Sequence, residues 1–107
     1  MTEPDEVNLA DLLASAAEDL AGVRLHVVER VTTWSVGGAP FATLAGGRAE
    51  FRLDPLVARA ALRTPDTAAS PRGPDWVAFA PGVLDDGAVD RAEAWFLSAH
   101  RRAAAAR

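Results

Sequence analysis

Apolar residues early in the chain recur at Leu9, Leu12, Leu13, Ala16 and Leu20, three and four positions apart, which marks one face of an amphipathic helix. Asn8 stands where a cap is needed, Asp11 suits the N-terminal dipole, and Gly22 stops the run, so the spacing predicts a helix over 8–21. Beyond Gly22 the period falls to two. Val23, Leu25 and Val27 alternate with Arg24 and His26, which predicts a strand over 23–31. Its phase slips at Val28 and Val31, implying a bulge or a fresh register there. Trp34 and Val36 share one face of a continuation over 32–36, and Gly37-Gly38 with Pro40 form a turn. Phe41–Ala45 is a short strand, Gly46-Gly47 a hairpin turn, and Ala49, Phe51 and Leu53 alternate with Glu50 and Arg52 in a further strand.

Asp54-Pro55 reads as an N-cap followed by proline at the first helical position, opening a helix over 55–63 with Leu56, Val57, Ala60 and Ala61 on its face. Residues 64–74, with three prolines and a glycine, read as an irregular loop. Residues 75–80 form a strand with Trp76 and Ala78 on one face and Val77 and Phe79 on the other. A last helix over 86–105 carries the stripe Val89, Ala92, Phe96, Ala99 and Ala103. There is no repeat or linker, so residues 1–107 are expected to form a single domain, with 1–7 a frayed tail. The order α–β–β–β–β–α–β–α predicts the α+β class: an antiparallel meander sheet with helices packed on one face.

Half of the 107 residues are hydrophobic, enough for a core without staples, and the absence of cysteine removes disulfides and thiolate chemistry. The formal net charge of −4 disfavours non-specific nucleic-acid binding, which usually draws on a basic surplus, although a local arginine patch is compatible with an acidic total. Every cationic side chain other than histidine is arginine, and Lys, Ile, Gln and Tyr are absent beside abundant Ala; such a bias follows a GC-rich genome, so the arginines are not by themselves a functional signal. The acidic start Met1–Glu6 is unlike a secretory signal, and no apolar run approaches the roughly 20 residues of a membrane span. The expected location is cytoplasmic, without a membrane partner.

From Trp34 onward the chain resembles the MmcQ/YjbR family of small bacterial proteins, whose fold is like that of the CyaY/frataxin group. The residues that carry the resemblance are Gly37-Gly38-Ala39-Pro40-Phe41-Ala42-Thr43-Leu44, then Phe51-Arg52-Leu53-Asp54-Pro55, Asp75-Trp76-Val77-Ala78-Phe79, and Ala94-Trp95-Phe96-Leu97-Ser98-Ala99-His100. They cover about 70 residues with short, mostly apolar motifs. The family's lysines before Phe-Ala and near the tryptophan strand have no counterpart here. The resemblance implies a CyaY-like sheet and a small binding protein of unknown ligand; DNA binding through a double-wing arrangement has been suggested for relatives.

Candidate chemistry is sparse. His26 and His100, with Glu29, Asp90 and Glu93, are the residue types of a metal site or general base, but His26 lies on the polar side of a strand and His100 near a helix end, where a cation suits the dipole. Asp85-Asp86 and Asp90 read first as acids at a helix start. Neither glycine pair leads from a strand into a helix as a phosphate cradle does. Ser70 has no base in sequence reach, and Trp95 lies off the centre of its helical stripe, where half exposure is expected. Trp34, Trp76, Arg52 and Arg72 are the residue types of a ligand-binding groove, against the plainer reading that the tryptophans are core. The expectation is a non-enzymatic binding module with no catalytic residue, metal or cofactor, meeting a small molecule or protein through the sheet face and the Ser70–Pro74 loop. A DNA-binding protein would gather Arg24, Arg30, Arg48, Arg52 and Arg72 on one face. A metal-dependent or hydrolytic enzyme would bring His26 and a carboxylate together in a cleft.

Overall fold

A computed structural model describes residues 8–106; the predicted frayed tail, 1–7, lies outside them. Helix α1 (Leu9–Glu18) opens at Asn8, whose Oδ1 accepts from the Asp11 N–H at 2.8 Å, and buries Leu9, Leu12 and Leu13, chiefly against the last helix. Six strands follow: β1 (Val23–Val28), β2 (Val31–Val36), β3 (Ala39–Ala45), β4 (Arg48–Arg52), β5 (Thr67–Ala69) and β6 (Trp76–Phe79). Helix α2 (Pro55–Ala61) lies between β4 and β5, and α3 (Asp86–Ala105) closes the chain. Every strand pairing is antiparallel, in the order β1-β2-β3-β4-β6-β5, so the protein is α+β. No helix among the described residues is long and apolar enough to cross a membrane.

The phase slip after Val27 is a hairpin. Val28 pairs with Val31, and the two residues between them, Glu29 and Arg30, hold φ of 51° and 69°. Both positions are left-handed, as in a type I′ turn, which asparagine and glycine adopt far more readily than glutamate and arginine. Such a turn carries no sequence signal, which is why 23–31 reads as one strand. Replacing Glu29-Arg30 by Asn-Gly, which relieves the left-handed strain at both positions, is expected to stabilise the protein by about 1 kcal/mol, read as a rise in the thermal midpoint of about 4–8 °C.

A bulge shapes the next pairing. Trp34 faces Ala42 while Ser35 faces Pro40, so Phe41 is the extra residue and is buried together with its neighbour Ala42. Phe41 reaches α3, with ring centroids 5.2 Å from Phe96 and 5.4 Å from His100. The interior lies between the sheet and α3. Trp34 and Phe96 meet edge-on at 5.3 Å, and Trp95 packs on Phe79 at 5.1 Å and Phe51 at 6.1 Å. Trp95 is therefore a core residue, not half exposed: it packs on Phe51 and Phe79 of the sheet, so the buried face of α3 is wider than the single stripe Val89-Ala92-Phe96. On α2 the buried residues are Ala58 and Ala61, with Val57 partly covered, while Leu56 is exposed; one short helix turns only a narrow edge inward.

The segment expected to be an irregular loop also contains structure. Thr67–Ala69 pairs with β6 as a short edge strand, and the Thr67 hydroxyl donates to the Ala61 and Thr64 carbonyls. This brings Ser70 back over the sheet.

Candidate functional site

Strand alternation decides which side chains share the face without α1 and α3. Val23, Leu25, Trp34, Val36, Ala49, Phe51, Val77 and Phe79 occupy the helix side. Their neighbours face the other way. One row runs His26, Thr33, Thr43, Glu50, Ala78 and Ala68 across the sheet. Arg24 and Ser35 form a pair beside it, as do Arg52 and Trp76, and Arg48 stands two residues from Glu50 on the same side.

Glu50 is the centre of this face. The residue is only 7 % exposed because the chain from Ser70 to Arg72 folds over its carboxylate. The Ser70 hydroxyl donates to Oε2 at 2.6 Å, Arg72 Nε to Oε1 at 2.6 Å and the Thr43 hydroxyl to Oε1 at 3.0 Å, while Arg48 Nη2 lies 3.5 Å from Oε2. Ser70 Oγ also accepts from the Arg72 N–H at 3.1 Å, which closes the turn. Burial alone would raise the Glu50 pKa, but the hydrogen bonds from Ser70, Arg72 and Thr43 and the charge of Arg72 outweigh it and hold the group below the ordinary carboxylate value. Glu50 is thus an ionised anchor whose lone pairs are occupied.

The anchor orients Arg72. Its guanidinium lies 5.7 Å from the centre of the half-buried Trp76 ring, and its side chain stays 42 % exposed. Nε is engaged with Glu50, and among the described residues the terminal nitrogens make no hydrogen bond. Arg52, the strand partner of Trp76, turns to the end of the sheet, where its Nε reaches Asp75 Oδ2 at 3.2 Å. Arg102 of α3 meets the same oxygen at 2.9 Å and the Leu53 carbonyl at 2.9 Å. Burial pushes the Asp75 carboxyl up, but bonds from Arg102 and Arg52, its own backbone and the charge of Arg52 bring it below its usual value. Arg52, Arg102 and Phe41 line a cleft of about 70 Å³ at this end.

Of the four predicted site residues, Arg72 and Trp76 come together, Arg52 stands beside them with its guanidinium drawn to Asp75, and Trp34 does not join. Trp34 is 2 % exposed on the helix side of the sheet, a core residue placed there by its two-residue phase with Val36. Glu50 escapes sequence reasoning because it sits at a polar position of an alternating strand, where exposure is the ordinary expectation; only the return of Ser70 buries it. His26 is exposed on the edge strand, whereas the His100 Nε2 lies 3.0 Å from the Ala21 carbonyl beside α3, so the two histidines do not converge. Among the described residues no group of three or more His, Asp or Glu is placed to hold a metal ion. Asp85 caps α3, accepting from the Ala88 N–H at 2.9 Å. No family model matches the chain, and neither the curated proteins nor the solved structures contain a match.

Proposed function

We propose that this chain is a cytoplasmic, non-enzymatic binding module of MmcQ/YjbR type that receives an anionic partner on its open sheet face. The observation that carries the reading is the Glu50–Arg72–Trp76 arrangement: a buried carboxylate fixes one edge of a guanidinium over an aromatic ring and leaves the other edge facing outward. A planar guanidinium held in this way offers paired donors to a carboxylate or phosphate with little further loss of side-chain entropy. Ser70 beside Glu50 resembles a nucleophile beside a base, yet Ser70 is buried and Glu50 already accepts from three other side chains. That geometry suits an anchor better than proton abstraction.

A second reading, nucleic-acid binding, is favoured by one observation. Of the five arginines that reading gathers on one face, Arg24, Arg48, Arg52 and Arg72 have the strand phase or loop position of the open face beside the half-exposed Trp76, with the Arg52 guanidinium drawn to Asp75, while Arg30 stands in the β1–β2 turn. Arginines interleaved with an aromatic ring suit phosphates and stacked bases.

The test is anisotropy of a labelled single-stranded oligonucleotide and of its duplex across a salt series, alongside titrations with inorganic phosphate and small dicarboxylates read by tryptophan emission. Trp76 is the one tryptophan of the three that is not buried, so a response reports on this face. The expected result is saturable binding of at least one anion class that Arg72→Ala weakens about tenfold or more, the scale of one charge-assisted hydrogen-bonded contact. Oligonucleotide affinity falling steeply with log salt selects nucleic acid. Anions that leave Trp76 emission unchanged, or binding insensitive to Arg72→Ala, would reject the open face as the site.

A further inference from the structure

The two edges of the sheet differ. The β5 edge is three residues long, preceded by Asp66 at φ 67° and followed by Ser70-Pro71, so little backbone is offered there. The β1 edge is six residues long, with no proline, and carries three of the seven exposed large hydrophobic residues among those described: Leu25 at 57 %, Val27 at 58 % and Val28 at 53 %. Leu25 and Val27 lie on the helix side, but α1 packs on α3 and leaves them uncovered. Beside them a shallow groove, floored by Trp34 and Val23 and walled by Ala14 and Ala17, separates α1 from β1.

The β1–β2 turn determines which backbone groups are free. In a two-residue hairpin the residues flanking the turn exchange both backbone hydrogen bonds, and the pattern alternates from there. Val28, His26 and Arg24 therefore point their N–H and C=O toward β2, while Val27, Leu25 and Val23 point theirs outward. The outward backbone groups thus belong to the same three residues whose side chains are apolar and face the helix side.

We infer that β1 is a dimerisation edge that pairs antiparallel with β1 of a second copy, about a two-fold axis at Leu25. That register sets Leu25 against Leu25 and Val23 against Val27 of the second copy. It places every outward N–H and C=O of the strand opposite a partner and puts apolar against apolar at each helix-side position. A two-fold contact sets the same patch against itself, and the apolar run Val23-Leu25-Val27 is self-complementary about Leu25. A register shifted by two residues along the second copy would centre on His26 and oppose Val23 to Glu29, which is in the turn and has no extended backbone to pair. The α1–β1 grooves of the two copies then join into one trough across the axis. On the open face Arg24 falls opposite His26 of the second copy and adds no attraction, so cohesion comes from the backbone and the helix side. The exposed strip amounts to roughly 300 Å² per copy, and the whole contact to on the order of 1,000 Å², at the low end for a specific interface. A contact of that size fits a weak, concentration-dependent dimer.

Sedimentation velocity on the full chain from about 10 µM to about 1 mM tests this. The expected result is a shift from monomer to dimer mass across that range. Val27→Lys, which puts an inward-facing charge on each copy's edge, is expected to raise the dissociation constant about tenfold or more, whereas Leu56→Lys, at an exposed α2 position, leaves it unchanged. In the unsubstituted protein, hydrogen exchange at the Val23, Leu25 and Val27 amides is expected to slow as concentration rises, a readout independent of whether a variant folds. A monomer throughout, a dimer indifferent to Val27→Lys, or amide exchange that ignores concentration would each overturn the inference.

Discussion

Phe96→Ala is expected to lower stability by about 3–5 kcal/mol, the range for emptying a large aromatic site in a packed core. Phe96 is fully buried and is where the two halves of the interior meet, touching Trp34 from β2 and Phe41 from the bulge of β3. Neither neighbour can follow a shrinking side chain. Trp34 is fixed between Leu25 and Ala42 in the sheet, and Phe41 is the extra residue of a bulge whose backbone is set by pairs on either side. Among the described residues the Trp34 indole N–H has no acceptor, so packing holds that ring in place. Against a total of about 5–15 kcal/mol for a domain of this kind, the loss removes a large part of the margin. The thermal midpoint should fall by about 12–40 °C. Calorimetry checks the prediction, and a drop below about 5 °C would mean that α3 is not anchored through Phe96.

The same contact explains why much of the fold is legible in the sequence. Residues 86–105 are helical as their spacing predicts, because twenty residues of period 3.6 between Asp85 and the end of the stripe leave little alternative. The alternation of Ala49, Phe51 and Leu53, and of Val77 with Phe79, likewise assigns the helix side of the sheet without coordinates. Illegible features are those where a non-local contact overrides a local pattern. Glu29-Arg30 turns the chain with residues that do not favour the turn, because Val28 and Val31 are held as a pair by the rest of the hairpin. Thr67–Ala69 is too short to show a period and becomes a strand only because β6 offers it an edge.

The candidate site divides in the same way. Arg72 and Trp76 can be picked out by residue type, but their meeting depends on Glu50, and Glu50 looks like any solvated strand residue until Ser70 comes back across the sheet. Trp34 and Trp76 cannot be separated by type at all. Their assignment rests on strand phase: Trp34 shares its side with Val36, and Trp76 shares the opposite side with Ala78. Arg52 has the right phase for the open face, and only the fold shows Asp75 and Arg102 drawing its guanidinium to the sheet's end.

Glu50→Gln is expected to cost roughly 1.5–3 kcal/mol at pH 7, the range for hydrogen bonds to a charged group. The amide keeps one acceptor oxygen but sets an NH₂ against Ser70 Oγ or Arg72 Nε, both of which donate to the carboxylate at 2.6 Å. It also leaves Arg72 without its counter-charge, so the Ser70–Pro74 turn should loosen and carry Arg72 off the Trp76 ring. The pH dependence separates this account from simple loss of packing. The native pKa values of Glu50 and Asp75 are both lowered, from ordinary values of 4.5 and 3.8. Their contribution is therefore fully present above those ordinary values and is lost as pH falls through the lower native ones. Below about pH 4.5 the wild-type protein should lose stability progressively, and Glu50→Gln should lose less over the same interval because only Asp75 remains to be protonated. The two curves of unfolding free energy against pH should thus approach each other on acidification. Curves that stay parallel down to about pH 3 would show that the charge of Glu50 does not hold the loop.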